Sequence, residues 1–285
     1  MPNLASSSNT PPIFLQLPVE LRLRIYSHVL PYASTIDLNL TRGDGEPERS
    51  EYNLTFVRET IEQGVWKMQK THPRASVGND IVWRRGCTAV LATCHQVHDE
   101  CVNMIYGDNT FVIDVTFDAI KFRQRWRTTN NLTPSRSYAF LDHFSQRNLL
   151  HIKNYVVNVE HVDDYTGMIK YNCGGRGLTA GIRSKVQELV DLLSAVPYLH
   201  RLHIHLIDGA ISRIKFPSGR VHRVQDEQNY VNSQVVLDPC RRLYGVRKAT
   251  VTGVSQAYAE NLEKSITDSR GIDGYYGGLV GKSSR

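Results

Sequence analysis

Residues 199–206 read LHRLHIHL, in which every second residue from Leu202 onward is apolar. This alternation is typical of a strand with one buried face. Two further stretches, IKNYVVNV at 152–159 and VRKATVTG at 246–253, begin 47 residues before and 47 residues after it. All three carry apolar or small residues at their first, fourth and sixth positions. We therefore predict three equivalent strands in the second half of the chain.

A helical pattern precedes each of these stretches, and the clearest one covers residues 182–196. Single strands that alternate with helices favour parallel strands joined by right-handed crossovers. The spacing resembles that of leucine-rich repeats, although their usual period of about 20–29 residues is shorter. We predict an α+β or α/β fold with an irregular, leucine-rich-repeat-like β-α layer. The alternative is that three short strands coincide by chance.

The remaining chain is divided by its local patterns. We predict a disordered lead at residues 1–12 and an F-box-like helical region at 13–115 with an insert at 32–86. A repeat region at 116–269 and a flexible tail at 270–285 follow. Within these we predict helices at 13–31, 56–68, 88–106 and 117–126, strands at 34–40 and 110–115, a polar loop at 41–50 and a hairpin at 214–224.

The first predicted helix has the sharpest signals. Pro18 suits a first helical turn because its missing N–H is not needed there, and Pro31 ends the helix. Leu21, Ile25 and Val29 recur every four residues and form an apolar stripe. Arg22 and Arg24 are predicted to point away from this stripe. The stripe therefore needs a partner.

Composition narrows the classes of function. The 285 residues hold 34 Lys and Arg against 28 Asp and Glu, a net charge of +6. This mild surplus, with no basic run longer than Arg-Arg, does not favour a nucleic-acid partner. No apolar run is long enough for a membrane span, and no secretory signal is visible. Five cysteines at no scaffold spacing suit a reducing interior, so we expect a cytoplasmic or nuclear protein.

We find no signature of catalysis, of a metal or of a cofactor. Cys94, His98 and Cys101 share one helical face, but zinc needs about four ligands, usually from more than one element. The glycine-rich turn at 172–177 fits neither phosphate-binding motif. An enzymatic site would require a pocket near His203, His205 and Asp163. We expect a chain that is not an enzyme and has no cofactor.

The predicted strands also carry a polar face. Alternation places Arg201, His203 and His205 on the face opposite the apolar residues of the central strand. Lys248 and Thr250 take the equivalent positions on a neighbouring strand. In a parallel layer these rows lie side by side, and we predict a partner-binding face there. The alternative is that helices or the hairpin cover it.

Two segments resemble a fungal family of F-box-like proteins of mostly unknown function. The first is LPVELRLRIY at 17–26, extended to Leu30, and it is similar to the family's LPxELRxxIYxxxL opening. The second is VLATCHQV at 90–97 with Glu100 and IYGDNTFVI at 105–113. A third, weaker likeness covers residues 140–157.

The resemblance implies a specific partner. An F-box is a compact helical module that docks on the Skp-type adaptor of a cullin ubiquitin ligase. The expected adaptor-binding residues are Leu17, Pro18, Glu20, Leu21 and Ile25. The chain is then a non-catalytic substrate receptor for an unidentified protein. The alternative is an interaction or scaffold protein whose F-box-like helix is buried core and binds no adaptor.

Overall fold

The computed structural model describes nine segments of the chain. They are residues 12–36, 55–60, 66–71, 76–129, 133–161, 175–207, 211–215, 221–225 and 233–269. Residues 1–11 of the predicted lead at 1–12, residues 37–40 of the predicted strand at 34–40, the loop at 41–50, Asp163 and the tail at 270–285 lie outside them.

The described segments contain six α-helices and twelve strands. The helices are α1 Val19–Val29, α2 His95–Val102, α3 Phe140–His143, α4 Gln146–Leu149, α5 Gly175–Ser194 and α6 Gln256–Thr267. The strands are β1 Tyr32–Thr35, β2 Thr55–Thr60, β3 Trp66–Thr71, β4 Ile81–Arg84, β5 Thr110–Val115, β6 Ile120–Arg125, β7 Ser135–Ala139, β8 Asn154–Glu160, β9 Arg201–Ile207, β10 Ile211–Lys215, β11 Val221–Gln225 and β12 Lys248–Thr252. Three 3-10 helices cover Ile13–Gln16, Ala89–Ala92 and Val235–Arg242, and a π-helix covers Asn103–Asp108.

A six-stranded mixed sheet forms the body of the protein, in the order β12-β9-β8-β5-β6-β7. The first four strands in this order are parallel to one another. Strand β6 pairs antiparallel with β5, and β7 pairs antiparallel with β6. Asn154 pairs with Arg201, and Arg201 pairs with Lys248, so the three strands with the 47-residue spacing are neighbours in matching register. The predicted parallel strands are confirmed.

One face of the sheet carries the main core. Leu202, Ile204 and Leu206 of β9 are buried there beside the apolar residues of β5 and β8. Helix α5 covers this face with Ile182 and Val186, as its predicted apolar stripe requires. Helix α6 covers the outer edge, where the Glu263 carboxylate accepts the N–H of Val251 at 2.6 Å. This contact shields part of an otherwise open edge strand.

Two predicted helices are wrong. The described residues of the range 56–68, which are 56–60 and 66–68, belong to the antiparallel pair β2 and β3, and residues 117–126 contain β6. In β6, Ile120 and Phe122 are buried and Lys121 between them is exposed, which is the period of a strand. A few widely spaced apolar residues fit both periods, and pairing with a neighbouring strand decides between them.

The predicted helix at 88–106 is present only in pieces. A 3-10 turn at Ala89–Ala92 precedes α2, and the π-helix Asn103–Asp108 follows it. The first predicted helix is confirmed as α1, with Pro18 as its N-cap residue and Pro31 just beyond its end. The predicted strand at 110–115 is confirmed as β5.

Two smaller sheets complete the described structure. Strands β1 and β4 form an antiparallel ribbon, and β10-β11-β2-β3 form a four-stranded sheet. The predicted hairpin at 214–224 is confirmed by the antiparallel pair β10 and β11. The fold is therefore a mixture of helices with mixed sheets, as predicted. The leucine-rich-repeat-like character stays a prediction.

Candidate protein-interaction surfaces

Helix α1 packs through one side on α2 and the π-helix that follows it, which together form the second helical segment. Tyr26 is 1% exposed and Leu30 is buried, and both lie against Val97, Cys101 and Ile105. This cluster is separate from the core of the large sheet. The packing fixes which side of α1 faces inward.

Arg22 also lies on the inward side, at 7% exposure, so its predicted outward orientation is wrong. Its guanidinium binds the Glu100 carboxylate through two hydrogen bonds, from Nη2 to Oε1 at 2.7 Å and from Nε to Oε2 at 3.1 Å. Its Nη1 also donates to the carbonyl oxygens of Leu15 and Leu17. An arginine can be buried when its donors are satisfied in this way.

Glu100 joins α1 to α2 through further polar contacts. The Tyr26 hydroxyl donates to Oε2 at 3.0 Å, and the Gln96 amide donates to Oε1 at 3.1 Å. The hydrogen bond from Arg22 lowers the pKa of Glu100, and burial raises the pKa of Tyr26 to about 12. The cluster therefore holds a charged carboxylate at neutral pH. We call Arg22, Tyr26 and Glu100 the polar anchor.

A neighbouring side of α1, about 100° around the helix axis from the buried side, faces solvent. Leu21 is 49% exposed and Ile25 is 42% exposed, and Val19 at the helix start is exposed as well. Pro18 and Glu20 are also exposed, whereas Leu17 is half-buried. The structure thus brings four of the five predicted adaptor-binding residues to the surface. We call Leu21 and Ile25 the exposed stripe.

Sequence reasoning missed the polar anchor, although its signals were present. Arg22 and Tyr26 lie in the first segment of the family resemblance, and Glu100 lies in the second. Asn109, also in the second segment, has a structural role. Its side chain accepts the Ala33 N–H at 2.6 Å and donates to the Ile105 carbonyl at 2.8 Å. It joins β1 to the end of the π-helix.

The large sheet presents the predicted polar face, with uneven exposure. Arg201 and Lys248 are paired neighbours, and both are exposed. His203 and Thr250 form the next pair and are half-buried. His205 is only 5% exposed, so a partner cannot contact it directly as predicted. The accessible part of this face is its Arg201 and Lys248 row.

Hydrogen bonds hold the two histidines against the neighbouring strand. The Thr252 hydroxyl lies 3.0 Å from His203 Nε2 and 2.8 Å from His205 Nδ1. One hydroxyl has a single proton, so it can donate to at most one of the two rings. Burial lowers the pKa of His203, although the charge of Glu263 opposes this shift. These contacts hold both histidine rings against β12.

A turn at residues 76–80 covers the same face farther along the sheet. Val77 exchanges two hydrogen bonds with the buried Asn158 side chain, at 2.8 and 3.1 Å. Gly78 has a φ of +81°, and a Cβ there would lie 3.1 Å from Val112 Cγ2. Glycine permits both this backbone and the close approach. Arg123 also binds the turn and forms an ion pair with Asp114 at 3.2 Å.

The described residues give no cluster suited to a metal ion. No three His, Cys, Asp or Glu side chains among them come together in such an arrangement. Cys94 is exposed and Cys101 is buried, and His98 Nδ1 lies 2.9 Å from the Leu91 carbonyl oxygen.

In the part of the chain that the structure describes, no helix has the length and apolar character of a membrane span.

Comparison with known proteins gives one match to a protein family, in the first part of the chain. Residues 6–132 match the model of a family described as a domain of unknown function (DUF7730). This range includes α1, the polar anchor and β5. No curated protein matches the chain, and no solved structure matches it.

Proposed function

We propose that this chain is a non-catalytic protein-interaction module, an F-box-type substrate receptor whose helix α1 docks a Skp-type adaptor. The observation that supports this is the division of α1 into two sides. Arg22 and Tyr26 are buried on one side, and Leu21 and Ile25 are exposed on the other. Contiguous apolar patches on folded proteins often mark interaction sites, and the exposed Val19 lies on the same helix.

The docking surface is held in place before a partner arrives. The polar anchor ties α1 to α2, and the Phe14 ring lies 5.8 Å from the Tyr26 ring below it. Binding therefore requires little ordering of the helix backbone. Full burial of each exposed-stripe side chain contributes about 1.5–3 kcal/mol when it starts from full exposure. Because both are already about half covered, each contributes about half of that.

The rim of the stripe is polar. Glu20, Arg24 and His28 are exposed on the same helix and surround Leu21 and Ile25. An apolar centre with a charged rim is the usual composition of a protein–protein interface. The rim charges give the adaptor groove a defined orientation on the helix.

Substrate selection is assigned to the large sheet in this proposal. Arg201 and Lys248 are adjacent exposed cations on a rigid sheet, and they suit an acidic segment of a protein substrate. The ligase supplies the chemistry of ubiquitin transfer, so the chain needs no catalytic group of its own.

The test measures binding of the purified full chain to a purified Skp-type adaptor by titration calorimetry. The Leu21→Asp/Ile25→Asp variant places two charges in the stripe, and we expect at least about a hundredfold loss of affinity. The matched control is Leu141→Asp/Leu150→Asp, because both leucines are 39% exposed and lie outside α1. It should bind like the wild type.

Circular dichroism and thermal melting of all three proteins show whether each one is folded. A wild-type chain that does not bind the adaptor contradicts the docking proposal. Equal losses in the stripe and control variants contradict the location. If the wild type does not bind, the scaffold alternative takes the place of the docking proposal, and Arg201 and Lys248 become the first surface to test.

A further inference from the structure

A continuous exposed stretch lies between β4 and the 3-10 helix Ala89–Ala92. All six residues from 84 to 89 are exposed, and residues 85–88 belong to no helix or strand. The Cys87 N–H donates to the Val29 carbonyl at 2.8 Å, and the Thr88 carbonyl accepts the Leu91 N–H at 3.0 Å. A surface stretch with few such contacts opens locally at a small cost in free energy. An enzyme that binds an extended segment can therefore reach it.

The stretch carries a charge pattern that one class of enzyme reads. Arg85 precedes Thr88 by three residues, and Arg84 precedes it by four. Basophilic serine/threonine kinases select a substrate by such a pattern, because acidic side chains beside their active site pair with an arginine three residues before the acceptor hydroxyl. Arg85 is exposed, so a kinase can contact its guanidinium.

The Thr88 hydroxyl is placed to accept a phosphoryl group. Thr88 is exposed and precedes the 3-10 helix as its N-cap residue, but its side chain does not cap that helix. Phosphoryl transfer requires the attacking oxygen to approach the phosphorus in line with the leaving oxygen. An exposed hydroxyl on an irregular backbone can be brought into this alignment in a kinase active site.

The same arginine-to-hydroxyl spacing occurs at four other places among the described residues. They are Arg24–Ser27, Arg125–Thr128, Arg176–Thr179 and Arg247–Thr250. Ser27 and Thr179 lie within α1 and α5, where the backbone is not extended. Thr250 lies within β12 and is half-buried, and Thr128 is half-buried as well. Of these five hydroxyls, only that of Thr88 belongs to an exposed residue outside a helix or strand.

We propose that Thr88 is a phosphorylation site for a basophilic serine/threonine kinase, with Arg85 as the residue that the kinase selects. The Thr88 Oγ forms a bond to the γ-phosphorus of ATP as the bond from that phosphorus to the β-phosphate oxygen breaks. ADP leaves, and the hydroxyl proton passes to the catalytic aspartate of the kinase. The product gains a charge of about −1.5 to −2 at neutral pH. The site is independent of adaptor docking, because it uses neither Leu21 nor Ile25.

The test incubates the folded full chain with ATP and the purified catalytic domain of a calmodulin-dependent protein kinase. Mass spectrometry of proteolytic peptides locates the phosphate, which we expect on Thr88 and not in a Thr88→Val variant. Arg85→Gln should lower the initial rate on the order of tenfold, because one charge-assisted hydrogen bond to the kinase is lost. The matched control is Arg183→Gln, an exposed arginine on α5, which should react within about twofold of the wild type.

Three results would each overturn the proposal. The first is a wild-type chain in which Thr88 stays unmodified. The second is an Arg85→Gln variant that reacts as fast as the wild type, because the kinase would then not select Arg85. The third is equal modification of Ser27 and Thr250, because the kinase would then act on an unfolded chain. Circular dichroism at the assay temperature shows that every protein compared is folded.

Discussion

The large sheet and the α1–α2 pair are stabilised in different ways. Thirty buried hydrophobic residues form the described core of the sheet, whereas five form the core between the two helical segments. The smaller region adds the polar anchor, in which Arg22 and Glu100 are paired at 2.7 Å. The sheet also has oriented polar contacts, such as the Arg123–Asp114 ion pair, but its apolar core is much larger. The polar anchor is therefore a larger share of what holds the helical region together.

This difference has a functional consequence. A helix that depended on apolar packing alone would have to bury most of its apolar residues to stay in place. The polar anchor holds α1 from one side and leaves Leu21 and Ile25 available for a partner. The region with the smaller core thus presents Leu21 and Ile25 on its surface.

The largest effect is expected from a substitution in the sheet. Leu202 is 1% exposed in the central strand β9, and Leu202→Ala should lower the free energy of unfolding by about 2–5 kcal/mol. The loss combines the transfer of the side chain with the cavity that remains. Urea unfolding followed by circular dichroism measures it. A loss below about 1 kcal/mol would show that the sheet does not carry the stability of the chain.

A smaller effect is expected from the polar anchor, and it should depend on pH. Glu100→Gln leaves the Arg22 guanidinium without its carboxylate, so the free energy of unfolding should fall at neutral pH by less than for Leu202→Ala. The pKa of Glu100 is lowered in the folded protein, so the unfolded chain binds its proton more readily. The contribution is complete above the unfolded pKa of about 4.3 and is lost as the pH falls through the folded pKa.

The measurement for the anchor is urea unfolding of the wild type and Glu100→Gln from neutral to acid pH. The difference between them should shrink below a pH of about 4.3. A difference that is independent of pH would mean that the charge of Glu100 does not hold α1 on α2.

The smallest effect is expected from the exposed stripe. Leu21→Ala/Ile25→Ala should change the free energy of unfolding by about 1 kcal/mol or less per site, because each side chain is only about half covered in the folded protein. The same urea measurement detects any loss. Destabilisation close to that of Leu202→Ala would show that the stripe is core, and this would favour the scaffold alternative over adaptor docking.

Local pattern was sufficient for the parallel half of the sheet and for α1. Alternation of apolar residues marked β9, and the 47-residue spacing predicted its pairing with β8 and β12. Pattern was insufficient at β6, where Ile120 and Phe122 fit a strand only once a neighbouring strand is available. For the predicted partner-binding face, the sequence predicted which residues of β9 and β12 lie side by side. It did not predict that His205 is buried.

The sequence by itself marked the two prolines that flank α1, because Pro18 and Pro31 act through their own covalent geometry, although the predicted range 13–31 was longer than the helix. It also determined which face of β9 is apolar, because successive side chains of a strand point to opposite faces. Only the tertiary structure decided that Arg22 turns inward, since its partner Glu100 is 78 residues away along the chain.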